Sequence, residues 1–74
     1  MSKPGYGPGE MERTADFFRR YPNGNIVDAA IAVYGENTRF SRRYVQLNVS
    51  VLFGKESAEN RRMEEQWNRE ELRE

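Results

Sequence analysis

Cysteine and histidine are both absent from this 74-residue chain. Without cysteine no disulfide can brace a small core, and without either residue the usual zinc-ligand sets cannot be assembled. No metal and no cofactor are therefore expected. The same absences remove the commonest general base and the thiol nucleophile, which would leave catalysis to carboxylates, lysine or serine. Nothing in the sequence clusters these types, so the chain is not expected to be an enzyme.

Net charge is absent too: 12 basic and 12 acidic residues cancel. DNA-binding domains of this size are ordinarily strongly basic. The cancellation is uneven along the chain. Residues 17–43 carry five arginines against Asp28 and Glu36, whereas residues 55–74 carry five basic and seven acidic residues. No apolar run approaches the roughly 20 residues of a membrane span. The opening MSKPGYGPGE lacks the apolar core of a secretory leader. A cytoplasmic protein with no membrane contact is expected, in one domain that buries roughly 60% of its unfolded surface.

What is present reads as helices. Residues 1–9 hold three glycines and two prolines, and a disordered arm is expected there, with Lys3 and Tyr6 able to anchor on a partner. From Glu10 to Tyr21, Met11, Ala15 and Phe18 recur at i, i+4 and i+7, which predicts a first helix ended by PNG at 22–24. Asn25 is suited to cap a second helix, IVDAAIAVY, that Gly35 would close. Its alanines allow close approach of another helix. Residues 55–74 predict a charged last helix, capped by Ser57, anchored by Met63 and Trp67 and fraying beyond Trp67.

The run YVQLNVSVLFG, residues 44–54, fits two periods. Alternation of Val45, Leu47, Val49, Val51 and Phe53 with polar residues matches a half-buried strand. As a helix opened by Ser41, the same run places Val45, Val49 and Leu52 on one stripe and Phe40, Tyr44, Leu47 and Val51 on another. A strand needs a partner, and the only candidate is IVDAAIAVY, whose caps favour helix. Helix is the expectation, with the second stripe covered by Trp67 of the last helix or by a partner. A hairpin of the two runs is the alternative. The expected fold is all-α: a compact three- to four-helix domain with flexible termini, divided into residues 1–9, 10–54 and 55–74.

The Asn25 cap, the Ala29–Ala30 pair, Gly35, and Ser41 opening a helix with Val45, Val49 and Leu52 inward carry a resemblance. Over residues 10–54 the chain resembles the helix-turn-helix superfamily, in the version found in homeodomain-like regulators and phage packaging proteins. It departs from that pattern in a longer link from Gly35 to Ser41 and in Glu36 where an apolar residue is usual. In a DNA-binding member, residues near the start of the third helix enter the major groove. The resemblance thus implies partner-binding roles for Arg39, Arg42, Arg43 and Gln46; Tyr44, a poor groove residue, joins them as a contact for a protein partner. Arg19 and Arg20 would meet phosphate or an acidic patch.

Size, end segments and the arginine- and glutamate-rich surface are similar in build to small phage-encoded regulators. That likeness implies a monomer that binds host RNA polymerase through protein contacts and inhibits initiation or modulates termination. The alternative is a sequence-specific DNA binder, a small repressor or a packaging-protein recognition domain. Self-association through Met63 and Trp67 ranks last, because two apolar residues make a poor coiled-coil seam.

Overall fold

The ambiguous run is helical. In the computed structural model, which describes residues 8–73, Arg39–Phe53 form a single uninterrupted helix. Its start is secured twice. Thr38 Oγ1 accepts from the Ser41 backbone N–H at 3.0 Å, and Ser41 Oγ accepts from the Thr38 N–H at 2.8 Å. This reciprocal pair satisfies backbone donors that a helix start would otherwise leave orphaned. The cap is therefore Thr38, and Ser41, expected to open the helix, lies buried within its first turn. The connection from the preceding helix shrinks to residues 35–38, shorter than the Gly35-to-Ser41 link expected.

Four helices follow one another: α1 (Pro8–Arg20), α2 (Ile26–Tyr34), α3 (Arg39–Phe53) and α4 (Ala58–Arg73). No strand occurs among the described residues, and the fold is all-α. Residues 1–7, with Lys3 and Tyr6, lie outside the described residues. Pro8 and Gly9, placed by sequence in the arm, instead begin α1. Proline suits a first helical position, where its missing N–H costs nothing and its fixed φ is already helical.

Helix α2 keeps its expected ends. Asn25 Oδ1 accepts from the Asp28 N–H at 2.8 Å, and Gly35 closes the helix with φ 77°, its N–H bonded to Ile31 O. Only glycine takes that left-handed conformation without strain. Ala29 and Ala30 are fully buried where α2 meets its neighbours.

Both tandem phenylalanines of α1 are buried, because α1 is held from two sides. The Phe17 ring lies over the turn before α2, where a Cβ on Gly24 would come within 2.6 Å of it. Phe18 meets Phe17 edge-on at 4.9 Å and Phe53 of α3 at 6.4 Å. The inward stripe of α1 also includes Thr14, which is wholly buried, whereas Met11 and Ala15 are only half-buried.

Val45 and Val49 of α3 are core residues as expected, but Leu52 is not. Val51, Leu52 and Phe53 are all exposed, so the last turn of α3 runs past the core. Helix α4 opens with the Asn60 N–H donating to Ser57 Oγ at 3.1 Å. It continues past Trp67 to Arg73. Two bonds hold this second half: Ile26 N–H donates to Gln66 Oε1 at 2.6 Å, and Glu71 pairs with Arg39.

Candidate functional site

The residues singled out near the start of α3 are distributed over three environments. Arg42 is 2% exposed, and its Nη1 donates to Asn37 Oδ1 at 2.6 Å, tying α3 to the turn before it. Gln46 is 4% exposed and donates to Asn60 Oδ1 of α4 at 2.9 Å. Neither side chain faces outward, which corrects the expectation that both stand on a recognition surface. Polar residues at such depth are held there by their hydrogen bonds.

Arg39 and Arg43 remain at the surface but are engaged by α4. Arg39 Nε lies 3.0 and 3.1 Å from the two carboxylate oxygens of Glu71. The Arg43 guanidinium sits over the Trp67 ring, 5.0 Å from its centroid, and donates to Gln46 Oε1 at 2.8 Å. A guanidinium over an indole face is attracted by the ring quadrupole. Trp67 therefore covers the arginine side of α3 and not the Phe40–Val51 stripe. The physical reason is specific pairing: Gln46 with Asn60, Arg43 with Trp67 and Arg39 with Glu71 set the rotation of α4 about α3.

The stripe that α4 leaves uncovered is the apolar one. Phe40 is 71% and Val51 66% exposed, with Tyr44 and Leu47 half-buried between them. Tyr44 leans on Tyr34 of α2, ring centroids 5.9 Å apart. Steps of four, three and four residues keep the four side chains on one helical face. Of the three arginines on α3, Arg42 is buried and Arg39 is paired with Glu71, so the positive charge beside this apolar face is that of Arg43.

Arg19 and Arg20 are exposed at the end of α1, Arg19 paired with Asp16 at 2.7 Å. The contact of Phe18 with Phe53 places them by the far end of α3. Fourteen residues of helix, about 21 Å at ~1.5 Å per residue, separate Phe53 from Arg39. The structure does not bring the two arginine groups together.

One cluster has no counterpart in the sequence reading. Asn48, wholly buried on α3, donates from Nδ2 to Thr14 Oγ1 of α1 at 3.1 Å and to the Tyr34 hydroxyl of α2 at 3.0 Å. Thr14 passes the chain on to Glu10 O at 2.7 Å. Three helices are thereby joined at one side chain. Burial pushes the Tyr34 phenol above its ordinary value of about 10, with the Asn48 bond acting in the opposite sense. A raised folded value means that stability is fully present below about pH 10 and is lost as pH rises through the folded value. Tyr34→Phe should lack this loss. Urea midpoints taken from about pH 9 to 11 should converge for the two proteins, and parallel curves would show that Tyr34 does not titrate with folding.

Among the described residues no group of three or more acidic side chains is placed to hold a metal ion. No helix of the described residues is long and apolar enough to cross a membrane. No known protein family, curated protein or solved structure matches the chain.

Proposed function

We propose that this protein is a small, non-catalytic regulator that acts through protein–protein contacts, with the outer face of α3 as its contact surface. The observation that carries this reading is the division of α3. Its arginines and Gln46 are buried or engaged by the protein itself, while Phe40 and Val51 lie uncovered with Leu47 half-buried between them. An exposed apolar stripe on so small a chain is the usual mark of an interaction site. The α2–turn–α3 arrangement with its four-residue connection supports a helix-turn-helix reading of the core. RNA polymerase, met in the cytoplasm with effects on initiation or termination, is the partner suggested by likeness in build to small phage-encoded regulators.

Sequence-specific DNA binding is the second reading, favoured by the exposed positions of Arg39 and Arg43 at the start of α3. The two readings separate in one experiment. Tagged protein is used to capture partners from bacterial lysate, with and without nuclease, alongside a Phe40→Ser/Val51→Ser variant. Protein contact predicts polymerase subunits retained after nuclease and reduced at least tenfold in the variant. Loss of all capture on nuclease treatment, with intact capture by the variant otherwise, would transfer the function to DNA. Arg42→Glu has no place in this test, because a reversed charge at a buried position would disturb the fold itself.

A further inference from the structure

We infer that the outer face of α3 takes an acidic amphipathic helix from a protein partner; this rests on the protein-binding reading above. Phe40, Tyr44, Leu47 and Val51 advance by four, three and four residues, the spacing with which one helix meets another along a shared seam. From Phe40 to Val51 the stripe spans about 16 Å, or three turns. It runs unbroken, because α3 is one uninterrupted helix. A strand or loop would have no matching period.

Charge selects the kind of helix. Arg43 directly flanks the seam, and cation–π contact with Trp67 leaves its positive charge in place. Of the acidic groups around it, Glu71 is paired with Arg39 at 3.0 Å and Glu56 lies 4.0 Å from Arg61, while Glu64 stands exposed. An open cleft of about 380 Å³ beside Leu47 and Ser50 has Arg43 and Lys55 on it, with Glu56 and Glu64 also lining it. A partner carboxylate one turn from its apolar residues would therefore meet Arg43.

A second copy of this chain fits less well. It would bring a second Arg43 towards the first, with no acidic residue on either α3 to meet it.

The test is a selection from a displayed library of 16-residue peptides on the full-length protein, followed by solution affinities of the winners. The winners should show apolar residues at i, i+4 and i+7 with Asp or Glu alongside. Their affinity should fall at least tenfold for Phe40→Ser/Val51→Ser, a neutral change at two exposed positions. Arg43→Gln should weaken them about threefold to tenfold, and added salt should remove that difference. Circular dichroism of each variant checks that the fold survives. Winners without helical spacing, winners rich in lysine or arginine, or affinities unmoved by the double variant would overturn the inference. So would a concentration-dependent dimer that the double variant abolishes, since a second copy would then be the occupant. Each of those results leaves polymerase capture from lysate as an independent readout. Failure of both, with DNA bound instead, would remove the protein-binding reading itself.

Discussion

Replacing Met63 by alanine is expected to destabilise the protein by about 2–5 kcal/mol, the cost of emptying a fully buried site that its neighbours cannot wholly refill. Met63 is 0% exposed and belongs to the same core as Phe17, Phe18, Val45 and Val49. A chain of this length has roughly 4–11 kcal/mol of stability in all, at about 0.05–0.15 kcal/mol per residue. The loss would therefore leave a large unfolded fraction under ordinary conditions. Urea denaturation followed by circular dichroism measures it directly, and the fall should come in one transition across all four helices. The comparison is Leu72→Ala on the same helix, where the side chain is exposed and the expected change lies within about 0.5 kcal/mol. If Met63→Ala cost less than about 1 kcal/mol, α4 would be an appendage on a three-helix core. Nothing that depends on α4 setting the surface of α3 would then stand.

That dependence matters for function. With α4 integral, Gln46 stays buried and Arg43 stays on Trp67, and the face offered to a partner is the Phe40–Val51 stripe. Without it, the row Arg39, Arg43 and Gln46 would be open to a groove. The rotation of one helix thus decides which of two chemistries α3 presents.

Local signals made the helices legible in the sequence. Asn25 and Gly35 bound α2 where expected, Ser57 opens α4, and Val45 and Val49 point inward at helical spacing. Each depends on residues within a few positions of one another. The start of α3 was missed because its cap pairs Thr38 with a serine at the third position, where the recognisable signature has Glu or Gln. The rotation of α4 was missed for a different reason. It rests on contacts such as Gln46 with Asn60 and Arg39 with Glu71, fourteen and thirty-two residues apart, and no periodicity along the chain encodes them. Thr14 and Asn48 were invisible because periodicity assigns polar residues to the outside of a helix. Their burial is legible only once Asn48, Thr14 and Tyr34 are seen to satisfy one another.

Asn48→Asp tests that last arrangement most sharply, since it changes one atom group and keeps the volume. The Asn48 amide nitrogen donates to both Thr14 and Tyr34, while its Oδ1 is buried and accepts no hydrogen bond within the protein. The site asks for a donor. An ionised carboxylate is acceptor-only, so near neutral pH the variant would bury a charge and lose both donated bonds, with only a turned hydroxyl left to donate to it. Breaking a buried polar arrangement in this way costs about 3–5 kcal/mol. Burial must raise the pKa of the new carboxyl above its unfolded value of about 3.9. The sign follows: a raised folded value means that the variant is least handicapped below about pH 4, where the acid is neutral and can donate once. Its deficit against the parent should then widen as pH rises through the folded value and level off above it. Because other carboxylates titrate in both proteins, the quantity to follow is the difference in urea midpoint between variant and parent at each pH. A difference that stays constant with pH would mean that the substituted side chain reaches water, and the three helices would not be joined at this residue.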